Sequence, residues 1–330
     1  MAGGDFLDGD RSSVGLLGAR FELDGDHYRF SHIYEGDNAE PKYRSPLREV
    51  GVNISEGDYL LAVNGRALTA KDNPYALLTN LGKQPLELLV NSRARTSDAR
   101  RVLVQPVSNE SNLIYLEWVE HNRRYVAEAT DGKVGYLHIP DMGADGIYEF
   151  IKWYYPQIRK QGLVIDVRGN GGGNVSQMIL RRLMLKPLGF GFQAHRSSAE
   201  AYPGPAFNGY MATLISEDSA SDGDIFPYAF RQAGLGPVIG KRSWGGVIGI
   251  TNRGALIDGG SVFVPEFGIG DAEKGWVVEG EGVVPDIEVE NNPVGFDDAQ
   301  LDRGISEVMA RINDDPPVWP AKPADPIKLN

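Results

Sequence analysis

The chain has 330 residues, 42% of them hydrophobic and 24% charged, and at roughly 100–200 residues per domain this is enough for two domains with cores of their own. Its 33 basic and 45 acidic side chains give a net charge of -12, which speaks against a nucleic-acid-binding surface, since that would need a basic face to neutralise phosphates. The absence of cysteine excludes disulfides, thiolate nucleophiles and thiolate-held zinc or iron, and fits a cytosolic setting.

Residues 1–12 carry no basic segment followed by an apolar one, so they do not read as a signal peptide, and no run reaches the ~18 apolar residues of a membrane span. A soluble chain is expected. Residues 13–106 read as a small β-rich domain, with apolar stretches such as YLLAV and PLELLV separated by turn signals. Asn64-Gly65 is the signal of a type I′ hairpin. The stretch Gly51–Leu68, GVNISEGDYLLAVNGRAL, resembles the strand pair of a PDZ domain.

Residues 107–132 read as a linker whose helix covers 113–129. From 133 the pattern changes. Short apolar runs at 133–139, 163–167, 212–216 and 237–240 alternate with helical patterns at 146–161, 174–184 and 222–232. Such alternation predicts an α/β layer on largely parallel strands. Residues 246–251 and 261–267 read as extended, 297–313 as a terminal helix, and 314–330 as an irregular proline-rich tail.

Three stretches carry residue types suited to chemistry. After the apolar run ending at Val167 comes Arg168-Gly-Asn-Gly-Gly-Gly-Asn174, a glycine cluster leading into a helix. Bare backbone N–H groups there suit a phosphate or the oxyanion of an acyl transfer. The cluster lacks the third glycine of G-x-G-x-x-G and the Gly-Lys-Ser/Thr ending of a P-loop, and a plain tight turn remains open. In Ser219-Ala-Ser-Asp-Gly-Asp-Ile-Phe226, Ser221 falls at a strand-to-helix corner, with the logic of a nucleophile elbow but without G-x-S-x-G. Equally, Ser219 or Ser221 serves as a helix cap. In Glu279-Gly-Glu-Gly-Val-Val-Pro-Asp286 a carboxylate either orients a catalytic group or belongs to an exposed acidic turn. The five histidines, at 27, 32, 121, 138 and 195, include no metal-ligand spacing and read as structural or solvated.

In order and spacing, GYLHIPDMG, VIDVRGNGGGNVSQ, SASDGDIF, GKRSWGGVIGI and EGEGVVPDIEVE, behind a PDZ-like unit, closely resemble the C-terminal region of the tricorn proteases. More distantly they resemble the C-terminal processing proteases, and the likeness runs from about Val14 to Pro293. It implies a mixed α/β protein: an N-terminal remnant (1–12), a PDZ-like domain (13–106), a linker helix (107–132), a crotonase-like or ClpP-like peptidase core (133–313) and the tail. It further implies a cytosolic serine peptidase acting on short peptides such as proteasome products, and assembled as a homo-hexamer, with no cofactor, metal, nucleic acid or membrane.

By residue, the resemblance makes Ser221 the nucleophile and gives the oxyanion hole to the N–H groups of Gly173 and Asp222. It makes the Asp222 side chain the selector of basic residues and Glu279 the group that orients the catalytic histidine. In the family that histidine follows a serine ahead of the PDZ domain. The opening Met1-Ala-Gly-Gly-Asp5 resembles the stretch just after that pair, so the base is expected outside this chain, which is then a fragment with slow or no hydrolysis. Two other readings are a non-catalytic PDZ-type peptide-binding module and a crotonase-like acyl-CoA enzyme.

Overall fold

The computed structural model describes residues 13–82, 84–196, 198–292 and 297–325. The remnant at 1–12 and the last five residues of the tail lie outside the described residues. The chain divides into two compact units, one running to His121 and the other beginning at Asn122.

The first unit is an antiparallel sheet. Its strands are β1 (Ala19–Asp24), β2 (His27–Ile33), β3 (Tyr59–Val63), β4 (Arg66–Ala67), β5 (Leu86–Asn91) and β6 (Arg100–Val104), in the order β1-β2-β3-β5-β6 with β4 beside β3. The period of two that defines a half-buried strand is plain in β5, where Leu86, Leu88 and Val90 are fully buried. They share a core with Phe30 and Leu60. Between β3 and β4, Asn64 and Gly65 both have positive φ, 48° and 76°, as a type I′ turn requires. The helix α1 (Ser111–Ala129) follows, and the division between the units falls within it.

The second unit is built on a parallel sheet of β7 (Val134–His138), β8 (Gly162–Asp166), β11 (Tyr210–Ile215), β12 (Val238–Gly240) and β17 (Ile287–Glu288), in the order β7-β8-β11-β12-β17. Its inner strands read as continuous apolar runs because helices cover both faces. Leu163 and Ile165 of β8, and Val167 just after it, join a core with residues of α2 (Ala144–Tyr154), α3 (Ser176–Leu183) and α4 (Asp222–Gln232). Val164 points the other way, toward α5 (Ala299–Asp314), where a Cβ on Gly304 would lie 3.5 Å from it. The buried Leu301, Ile305, Val308 and Ile312 supply the apolar stripe of α5. Smaller pairs complete the unit: β9 (Gly189–Phe192) with β10 (Ala199–Tyr202), β13 (Gly249–Ala255) with β14 (Ser261–Phe267), and β15 (Gly270–Asp271) with β16 (Gly275–Trp276).

Two elements differ from the sequence expectation for identifiable reasons. The helix expected over 146–161 occupies 144–154 and then tightens to a 3₁₀ turn around Pro156. It starts early because Asp141 Oδ1 accepts the N–H groups of Gly143 and Gly146 at 2.7 and 2.9 Å. The extended segment expected at 246–251 forms a strand only from Gly249, because side chains elsewhere hold the amides of 245–248.

A buried ion network closes the carboxyl end of β8. Arg168 bridges Asp166 at 2.6 Å and Asp298, the N-cap of α5, at 2.8 Å. Burial pushes the Asp166 carboxyl up, but the Arg168 charge and hydrogen bonds outweigh it and hold the group below the usual carboxylate range. His138 is buried with Nε2 3.0 Å from the Arg168 carbonyl, and burial lowers its pKa.

Candidate active site

Ligands of open parallel sheets gather outside the carboxyl ends of the strands. Here the loops after β7, β8 and β11 meet at that edge. The glycine loop after β8 is tied to the β7 loop by Met142 N–H donating to the Gly172 carbonyl at 2.8 Å, and by Asn174 and Val175 N–H donating to the Met142 carbonyl at 2.7 and 3.0 Å. Gly173, at φ 149°, lies so near Met142 that a Cβ on it would come within 2.0 Å of that carbonyl oxygen. Only glycine fits.

The buried Asn170 ties the glycine loop to the β11 loop. Its Oδ1 accepts Gly172 N–H at 3.0 Å, its Nδ2 donates to the Ile139 carbonyl at 2.9 Å, and its own carbonyl accepts Ala220 N–H at 2.9 Å. The close approach continues at Gly172, where a Cβ would lie 2.5 Å from Ser221 Cβ and 3.0 Å from Asp222 N.

Ser221 sits at the corner between β11 and α4 with φ 56° and ψ −123°, a backbone that non-glycine residues rarely adopt. Such strain costs about 1–3 kcal/mol, no more than the burial of one large core side chain supplies. The side chain makes no capping bond to α4, which sets aside the cap reading for Ser221. Ser219 does not cap the helix either. Fully buried, its hydroxyl donates to the Val167 carbonyl at 2.9 Å and accepts Ser216 N–H at 3.2 Å. Among the described residues the Gly173 and Asp222 N–H groups have no acceptor.

The Asp222 carboxylate, on the wall of the site, is bonded through both oxygens. Its Oδ2 accepts Ser176 N–H at 2.9 Å, and its Oδ1 accepts the Ser176 hydroxyl in a short bond. This places it at the first turn of α3, with Asp222 only 7% and Ser176 0% exposed.

A third wall comes from residues 243–250. The fully buried Asp224 accepts Gly245 and Gly246 N–H at 2.8 and 3.3 Å. Exposed Glu279 accepts Val247 and Ile248 N–H on one oxygen at 2.6 and 2.9 Å. Four successive amides are thus held by two carboxylates. Sequence reasoning gave Asp224, Asn170 and Ser176 no role, although Asp224 lies one helical turn beyond Ser221 in the quoted motif.

Gly173, Ser221, Asp222 and Glu279 line one cavity of about 660 Å³. Its lining also includes the polar Asn174 and Gln177 and the apolar Ile225, Val247, Ile250 and Phe267. No histidine is among its lining residues. Among the described residues no cluster of three or more His, Asp and Glu side chains is placed to hold a metal, and no helix is long and apolar enough to cross a membrane.

Residues 133–289 match Peptidase family S41, and residues 15–109 match the Tricorn protease PDZ domain. Residues 133–289 are thus a peptidase domain of family S41, and residues 15–109 a PDZ domain of tricorn type. The chain is 36% identical over 325 residues to the tricorn protease of Thermoplasma acidophilum, covering 98% of this chain and 30% of that protein. It is 38% identical over 309 residues to a tricorn protease homolog of Saccharolobus solfataricus, covering 91% of this chain and 28% of that protein. The crystal structure of the tricorn protease superposes with a TM-score of 0.87 at 36% identity, over 94% of this chain and 30% of that one. The tricorn-like chain therefore spans about a third of the length of these relatives. The matches favour neither the non-catalytic module nor the acyl-CoA enzyme.

Proposed function

We propose that this chain carries the nucleophile and oxyanion hole of a tricorn-like serine peptidase that hydrolyses short peptides in the cytoplasm as part of a homo-oligomer. The observation that carries the reading is the strained Ser221 corner, packed against a glycine loop whose Gly173 N–H, like that of Asp222, has no acceptor among the described residues. The Ser221 oxygen attacks the substrate carbonyl carbon and its proton passes to a base. The tetrahedral oxyanion then accepts from Gly173 and Asp222, the C–N bond breaks, and the leaving amine takes the proton. Water, deprotonated by the same base, releases the acyl group and restores the serine. Glu279 holds the wall beside the nucleophile and, in this reading, helps orient the base.

Since the cavity lining includes no histidine, the reading takes the base from outside this chain. An alkyl fluorophosphonate tests the nucleophile. With imidazole supplied as base, the Ser221 oxygen bonds phosphorus, fluoride departs and imidazole takes the proton. The expected result is one adduct mapped to Ser221 by mass spectrometry, faster with added imidazole and absent in Ser221→Ala. Equal labelling of Ser221→Ala would overturn the reading.

A further inference from the structure

The two amides proposed for the oxyanion hole come from different loops, Gly173 from the turn after β8 and Asp222 from the corner after β11. Their separation is what an oxyanion would sense, because donors must sit about 2.7–3.1 Å from one point. Asn170 and Gly172 join the loops on the side toward the sheet. On the helix side the joining contact is between Asp222 and Ser176, three residues beyond Gly173. There a carboxylate receives both the backbone N–H and the hydroxyl of a serine with no exposure.

Resting on the proposed function, we infer that Ser176 is a positioning residue and that the Asp222 side chain acts with it. Their paired hydrogen bonds fix the spacing of the Gly173 and Asp222 donors, and the Asp222 carboxylate is not a receptor for a basic substrate side chain. A carboxylate bonded through both oxygens to the start of a helix is oriented by that contact. A cationic side chain reaching it would have to compete with two buried hydrogen bonds. The same contact holds the Asp222 amide because the side chain and the N–H belong to one residue at the first position of α4.

The test uses two peptide boronates that differ only in the residue next to boron, one with a lysine and one with a norleucine side chain. A matched peptide carboxamide serves as the ground-state ligand. Boronates form a tetrahedral adduct with a serine oxygen and so read donor spacing, whereas the carboxamide does not. Ser176→Ala and Asp222→Asn should weaken both boronates by the same factor, about 10- to 100-fold. Carboxamide affinity should stay unchanged, and Ser176→Thr should restore most of the loss. Urea denaturation identifies folded variants, and Asp222→Asn, which keeps the side-chain shape, carries the test if Ser176→Ala does not fold. Loss confined to the lysine boronate in Asp222→Asn, with no loss for the norleucine boronate, would overturn the inference by making the carboxylate a selector. Unchanged affinities in both variants would overturn it as well. Failure of the underlying reading has a separate signature: Ser221→Ala would bind both boronates as tightly as the unaltered chain.

Discussion

Alanine at Gly173 should cost both stability and oxyanion binding, and alanine at Gly171, two residues earlier, should cost neither. Gly173 has φ +149°, and a Cβ there would lie 2.0 Å from the Met142 oxygen and 2.2 Å from its carbonyl carbon, closer than the 3.0 Å that real Cβ atoms respect. The loop must therefore yield by about 1 Å, a displacement that alone can reduce a positioned reaction about a hundredfold. Three hydrogen bonds link this stretch to Met142, and each is worth about 1 kcal/mol net. With left-handed backbone strain of about 1–3 kcal/mol added, Gly173→Ala should lose about 4–6 kcal/mol if all three bonds break, a large part of the 5–15 kcal/mol by which domains are commonly stable. Peptide boronate affinity should fall about 100- to 1,000-fold, the usual effect of losing one oxyanion donor. Gly171 has nothing within 4 Å of its would-be Cβ and an ordinary φ, so Gly171→Ala should stay within about 0.5 kcal/mol. Urea denaturation and boronate titration of both variants decide the matter. Undiminished boronate affinity in folded Gly173→Ala, or equal damage at Gly171, would refute the reasoning.

Ser221→Gly removes a side chain from a backbone at φ 56° and should raise the unfolding free energy read from urea denaturation by about 0.5–2 kcal/mol while abolishing labelling; a lower value would mean that the corner is not strained. Glu279→Ala frees the Val247 and Ile248 amides, so their hydrogen exchange should accelerate about tenfold. Glu279→Gln keeps an oxygen able to accept both amides and should exchange more slowly than the alanine variant. Arg168→Met leaves a buried Asp166 without its countercharge and should cost about 3–5 kcal/mol in urea denaturation at pH 7. Asp166 has a depressed folded pKa, so its contribution is present above the ordinary aspartate pKa of about 3.9 and is lost as pH falls through the folded value. Urea midpoints of the unaltered chain should fall through that acid range, and Asp166→Asn should show a flatter dependence.

The elements that carry the candidate site were legible because strand and helix periods are local. The span read as the helix after Ser221, 222–232, is the observed one, and the runs around 163–167 and 212–216 are the inner strands of the parallel sheet. The five quoted motifs likewise brought Gly173, Ser221, Asp222 and Glu279 into one proposal, and these residues line one cavity. What escaped was the pairing of side chains with distant backbone. Asp222 meets Ser176 across 46 residues, Glu279 meets Val247 across 32, and Asp224 meets Gly245 across 21. No periodicity encodes such contacts, since they exist only once the sheet edge is assembled. For the same reason a motif could mark Asp222 as important while leaving open which way its carboxylate turns.

The most direct measurement is a crystal structure of the chain with a peptide boronate. The prediction is continuous density from the Ser221 oxygen to boron, with one boronate oxygen about 2.7–3.1 Å from the N atoms of both Gly173 and Asp222. A boronate bound away from Ser221, or joined to it with its oxygens turned from both amides, would contradict the account.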